Sequence, residues 1–339
     1  MASAATSPAL AQEKTEFRIM WSIYVGWMPW GWASDQGIVD KWADKYGIEI
    51  EVVQINDYIE SINQYTAGGF DGGVMTNMDA LTIPAVGGVD TTALIVGDFS
   101  NGNDGIVSKS ATDVAGLAGT NVNLVELSVS HYLLARALES AGLAERDLTV
   151  VNTSDADMVS VFTSTDDVEN VVTWNPLLAE VAAFPGATKL FDSSQIPGEI
   201  IDMMVVNTEV LEANPDFGKA LVGAWYETMA IMSGEDDAAL AARAEMGVAA
   251  GTDLAGYDAQ LASTQMFYEA ADAVTFTQSP DLVTTMDSVR QFSDTHGLMV
   301  GGLDFVGIAF PGGEVLGDPD NVTLRFSDEF MSMAAEGAL

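Results

Sequence analysis

The sequence predicts an α/β protein of two lobes joined by two chain crossings. Three observations carry that expectation. Strand-like apolar runs alternate with amphipathic helical stretches, as in a mostly parallel sheet covered by helices. A cluster of turn formers, FSNGNDG, interrupts the alternation after Asp98, and the rhythm then restarts and returns. At 339 residues the chain suits two lobes of ordinary size. The divisions read as 1–14 for a tail, 15–102 with 205–339 for lobe 1, and 103–204 for lobe 2.

Phe17 to Ile23 is the first strand, followed by a Gly/Pro/Trp-rich loop in which a regular element is not expected. Ser34-Asp35 then opens a helix through Tyr46 that Gly47 closes, the usual cap and stop residues. A second strand covers Ile48 to Ile55. Helices over Ile59–Tyr65 and Asp79–Val86 alternate with strands at Gly72–Thr76 and Thr92–Val96. Beyond the break come strands at Thr120–Leu124, Leu148–Val151 and Val168–Thr173, with helices at His131–Ala141 and Met158–Phe162. Leu190-Phe191 and Met203–Val206 are the last strands before a mainly helical tail over Pro215–Met232, Ala238–Ala250, Asp258–Tyr268 and Pro280–Thr295.

Charge narrows the partners. Asp and Glu number 50 against 12 Lys and Arg, a formal net charge of −38. Nucleic acid and anionic membranes need clustered basic residues and are excluded. So acidic a surface fits a protein adapted to high salt, where screening shortens to roughly 3 Å at 1 M. Lowering the salt from molar NaCl to dilute buffer is therefore expected to lower the melting temperature; a salt-indifferent melting point would refute halophilic adaptation. The chain has no cysteine, which removes disulfides, thiolate metal sites and cysteine nucleophiles. With only His131 and His296 besides, no metal and no cofactor is expected. Ala9-Leu10-Ala11 before Gln12 matches the end of a secretory signal peptide, so an exported, periplasmic protein is expected.

Strand ends that face a cleft are where open α/β sheets bind ligands. Trp21 to Trp32, WSIYVGWMPWGW, directly follows the first strand and holds Tyr24, Trp27 and Trp30; it either walls the cleft or packs under its lobe. Trp174 holds the equivalent place in lobe 2, before Asn175-Pro176. Asp79, Glu126, Glu199 and Asp202 sit at or beside strand ends, and Ser128 opens a helix in SVSH, the one Ser/His neighbourhood. These candidate loops contain no Arg or Lys. An anion needs donors and counter-charge, so acids with indoles favour a planar cation.

Long segments, among them WSIYVGWMPWGW, KWADKYGIEIEVVQINDYIESINQY, TNMDALTIPAVGGVD, NLVELSVSHYLLARALESAGL, VTWNP and SSQIPGEIID, resemble the solute-binding proteins of ABC transporters encoded beside urea carboxylase. These fall within the nitrate, sulfonate and taurine (NMT1-like) type, and the similarity runs from about Phe17 to Arg325. The resemblance implies a two-lobed type II periplasmic binding fold, a membrane permease as partner, a monomer without enzymatic activity, and guanidinium as cargo. Guanidinium is always charged, donates in a planar fork and stacks on aromatic faces, whereas urea carries an oxygen that acids cannot satisfy. An anion receptor of the same type and an enzyme on this fold are the alternatives.

Overall fold

The computed structural model describes residues 14–339. The signal-like segment through Glu13 lies outside the described residues. Among the described residues fourteen strands follow one another: β1 (Glu16–Trp21), β2 (Glu49–Gln54), β3 (Gly72–Thr76), β4 (Thr91–Ser100), β5 (Asp104–Ser108), β6 (Asn121–Leu124), β7 (Thr149–Asn152), β8 (Asn170–Trp174), β9 (Thr188–Asp192), β10 (Ile201–Asn207), β11 (Thr264–Met266), β12 (Gly307–Ala309), β13 (Val315–Leu316) and β14 (Val322–Phe326). They form two sheets, each with its own helices. The larger runs β13-β12-β14-β4-β10-β3-β1-β2, with β11 added to β4, and the smaller runs β7-β6-β8-β5-β9.

β3 is buried along its whole length and β10 along nearly all of it, as central strands covered on both faces must be. The helix Pro215–Met232 starts where a proline and an aspartate in its first turn predict; its Phe217 stacks on Phe17 of β1 at 4.4 Å. The chain passes between sheets twice, at residues 101–103 and 193–200. Ser193 ties the two passages together. Its Oγ lies 2.6 Å from that of Ser100 and accepts from the Gly102 N–H at 2.8 Å.

Three expectations are corrected. The Trp-rich segment contains a helix, Met28–Asp35, with Pro29 in its first turn. Gly31 is there for packing rather than for freedom: a Cβ would lie 2.3 Å from the Trp21 ring. Second, Ser34-Asp35 ends that helix, and Gly37 at φ 70° starts the next, Ile38–Tyr46. Third, the tail contributes strands β11 to β14, short pieces that single-strand periodicity cannot announce. The crossings are also tighter than expected. β4 continues through Asp98 to Ser100, and the return strand enters the large sheet at Ile201 rather than near 205.

Candidate ligand site between the lobes

Where the sheets meet, Tyr24, Trp27, Tyr58, Thr76, Asp104, Val129, Trp174, Ile200 and Asp202 line a small cavity of ≈ 20 Å³. The lobes are closed over it. The Trp174 indole N–H donates to the Ile23 carbonyl at 3.3 Å, and the Val25 N–H to the Asn175 carbonyl at 3.3 Å. The ring of Tyr58 meets Trp174 edge-on at 5.9 Å and Trp27 at 5.5 Å, so aromatic faces from both lobes line one space.

Register assembles the acids. In the large sheet Asp202 of β10 is paired with Thr76 of β3 on one side and Asp98 of β4 on the other. Directly opposed residues project on the same face, so the Asp98 and Asp202 carboxyls stand close enough to share a proton. Asp104, first residue of β5, brings a third acid from the other sheet, opposite Trp174 in its ladder. Asp79, behind Thr76, is a fourth and is completely buried. The loop after β1 can lie over Asp98 because residue 26 is glycine; a Cβ there would come 2.5 Å from the Asp98 Oδ2.

These carboxylates are incompletely paired. Tyr24 donates to Asp98 Oδ1 at 2.9 Å, and Tyr58 and Thr76 donate to Asp79 Oδ2 at 2.7 and 2.8 Å. Asp98 Oδ2, Asp202 Oδ2, Asp79 Oδ1 and the Trp27 indole nitrogen are buried with no partner. Among the described residues no Lys, Arg or His lines the cavity. Burial therefore pushes Asp79 up to about 6 and Asp104 to about 7, against an ordinary carboxyl near 4. For the Asp98–Asp202 pair burial and mutual repulsion both raise the proton affinity, so the empty pair retains a proton. Burial also raises Tyr24 and Tyr58, which remain O–H donors at every ordinary pH.

The residues nominated from sequence divide into two groups. Tyr24, Trp27, Trp174 and Asp202 line the cavity, and Asp79 stands just behind it. Trp30 does not reach it; its ring stacks on Trp225 at 5.2 Å, lining a smaller space under Asp98 and Asp202. Ser128 caps the helix Val129–Ser140, accepting from the Ser130 N–H. Glu126 is exposed at the surface. Glu199 is held by Arg136, with N–O distances of 2.9 and 3.0 Å, and by the Tyr132 hydroxyl, so its charge is spent. Arg136 lies on a helix well away in sequence, and only the fold reveals that it neutralises a nominated acid. Asp98, Asp104 and Tyr58 went unnominated. The signal for Asp98 was an acid inside the otherwise apolar run ALIVGDF, but the neighbouring glycines and asparagines made it read as turn.

SVSH is not a catalytic pair. Ser128 Oγ donates to the Val125 carbonyl at 2.7 Å, and the His131 Nδ1 accepts from the Leu127 N–H at 3.2 Å. Among the described residues the acids of the cavity also fail to form a metal cluster; the three-ligand group found is His131, Glu145 and His296, elsewhere.

The NMT1-like family profile matches residues 19–247. The chain belongs to the NMT1-like family. Its fold is that of periplasmic binding proteins. The alkanesulfonate-binding protein SsuA of Xanthomonas axonopodis pv. citri, bound to MOPS, superposes with a TM-score of 0.68 at 16% identity, covering 85% of this chain and 96% of that one. The periplasmic aliphatic sulphonate binding protein SsuA of Escherichia coli gives 0.66 at 18%, covering 84% and 93%. The periplasmic nitrate-binding protein NrtA of Synechocystis PCC 6803 gives 0.60 at 13%, covering 96% and 99%. At these identities the likeness is one of fold. No curated protein sequence matches. Among the described residues of this NMT1-like chain, no helix is long and apolar enough to cross a membrane.

Proposed function

We propose that this chain is the extracytoplasmic solute receptor of an ABC importer, and that its solute is guanidinium or a close guanidine. The observation that carries the proposal is a cavity at the lobe boundary with Asp104 and Asp202 in its wall, Asp79 and Asp98 buried behind them, and, among the described residues, no basic side chain lining it. Buried charge without a counter-charge is costly, and a bound cation supplies what the protein withholds. Asp104 and Asp202 reach the space from different sheets, which suits a planar ion donating N–H groups in more than one direction. Aromatic rings cover its faces, a contribution of roughly 0.5 to 2 kcal/mol each. At ≈ 20 Å³ the cavity falls far below the ~300–1,000 Å³ typical of drug-sized ligands, which supports a solute of few heavy atoms. Four heavy atoms at about −1.5 kcal/mol each limit the Kd to about tens of micromolar, apart from gains by ion pairing.

An anion is the second reading. The three superposed structures named above are of sulfonate- and nitrate-binding proteins, and the buried Ser130 Oγ, without a partner, lies in the first turn of the helix Val129–Ser140. Against it, an anion in this cavity would face Asp104 and Asp202. Calorimetric titration with guanidinium, urea, taurine and nitrate separates the cases. Binding of guanidinium with no response to the other three is expected; binding of nitrate or taurine alone would refute the cation and leave the receptor standing.

A further inference from the structure

We propose that Asp79 sets the selectivity of the cleft without touching the solute: it takes the hydroxyl protons of Tyr58 and Thr76, so both oxygens meet the solute as acceptors only. The inference rests on the reading of the cleft as a cation site, and it names how urea and other carbonyl amides are refused there.

Hydrogen-bond geometry fixes where the protons go. A hydroxyl has one proton to give and two lone pairs to offer. Tyr58 and Thr76 line the cavity, whereas Asp79 is wholly buried behind them. The Tyr58 hydroxyl donates to Asp79 Oδ2 at 2.7 Å, and the Thr76 hydroxyl donates to the same oxygen at 2.8 Å. Backbone N–H groups then occupy one lone pair of each: that of Thr76 donates to the Tyr58 oxygen at 3.0 Å, and that of Asp79 to Thr76 Oγ1 at 3.3 Å. Each oxygen keeps one lone pair and no free proton. The other path open to the Tyr58 proton, onto Thr76 Oγ1, spans 3.5 Å and loses to a charge-assisted bond with a carboxylate.

The local chain enforces this arrangement. Thr76 ends β3 and caps the helix Asn77–Ala80, whose first turn carries Asp79, so the carboxylate folds back over its own cap residue. Tyr58, at the start of the helix Tyr58–Thr66, brings its hydroxyl to both. Tyr24 is treated the same way, giving its proton to Asp98 Oδ1 at 2.9 Å. Guanidinium has only N–H donors and meets every lone pair on offer. Urea is as small and as flat, but its oxygen set against Tyr58 or Thr76 brings acceptor onto acceptor, and a site built for one hydrogen-bonding pattern rejects the other. Asp79 is in this sense a positioning residue: it decides which way two hydroxyls face.

The test compares guanidinium and urea by calorimetry at about pH 8, where Asp79, pushed up by burial to about 6, is ionised. Asp79→Leu keeps much of the volume and removes the acceptor, so the Tyr58 and Thr76 protons are free to turn into the cavity. Guanidinium binding is expected to weaken and urea binding to tighten, each by roughly tenfold, the usual scale for a buried polar group losing or gaining its partner. Loss of charge or of packing alone would weaken guanidinium and leave urea no tighter. In the Tyr58→Phe/Thr76→Val background the same Asp79→Leu change should give urea no gain, because the hydroxyls it acts through are gone. The Trp27 indole N–H, buried without a partner, is common to all these proteins and cancels in the comparison. A solute-free measurement stands beside these variants. The Tyr58 C–O stretch, isolated as the infrared difference between the parent and Tyr58→Phe, should be that of a phenol donating to a carboxylate. Urea bound no tighter by Asp79→Leu than by the parent overturns the proposal, and so does a Tyr58 band typical of a phenol that only accepts. Failure of the parent to bind guanidinium would remove the cation reading, while the infrared band and the urea comparison would still decide the hydroxyls.

Discussion

Asp202→Asn is expected to weaken guanidinium binding about a hundredfold while leaving the protein folded and, when empty, more stable. The carboxyl lies in the wall of the cavity, and one of its oxygens is buried with no partner in the empty site. Removing one member of a buried charge pair costs roughly 2–5 kcal/mol, and 2.8 kcal/mol is already a hundredfold. The amide keeps the shape, so the loss measures charge rather than packing. In the empty protein the same change removes a carboxyl that burial, then the charges of Asp98 and Asp104, oblige to hold a proton, which explains the opposite sign on stability. Calorimetry gives the first quantity and thermal melting the second. Glu199→Gln is the control: Arg136 already holds that carboxylate, so its binding curve should move by less than threefold, on the order of an ordinary surface substitution. An Asp202→Asn protein that binds guanidinium as well as the parent would end the cation reading.

The contrast between those two acids shows how far the sequence could be read. Strand-helix alternation marked β1 to β4 and β6 to β8, because each was bounded by caps or glycines and had an apolar run of strand length. Pairing across strands left no local trace. Asp202 and Asp98 are far apart in the chain and become neighbours only through the antiparallel β10–β4 ladder. Glu199 and Asp202, three residues apart in one motif, end in opposite circumstances, one beside Arg136 and one beside a cavity without a cation. The indoles divided for a related reason. Trp27 and Trp30 belong to one short segment, but the helix Met28–Asp35 turns Trp30 onto Trp225 while Trp27, its N-cap, stays at the cavity wall. Residue types announced the chemistry, and register decided which copies carry it.

The second large effect concerns pH, and binding and stability should respond in opposite directions. Asp79 and Asp104, at about 6 and about 7, hold protons that the unfolded chain has released by about pH 4 to 5, and the Asp98–Asp202 pair acts likewise. The folded empty protein therefore binds more protons than the unfolded chain across this window, and its stability falls as the pH rises from about 5 to 7.5, by up to about 1.4 kcal/mol per pH unit for each acid in transition. A guanidinium ion is charged throughout and pairs with the ionised acids, so its binding displaces protons. Affinity should rise with pH, up to about tenfold per unit while one proton is exchanged. Thermal melts with and without millimolar guanidinium check both signs: the empty melting temperature drops from pH 5.5 to 7.5, and the ligand-induced increase grows. A ligand-induced shift that is the same at pH 5.5 and 7.5 would mean that no proton leaves the cavity, and that the acids there are not what receives the solute.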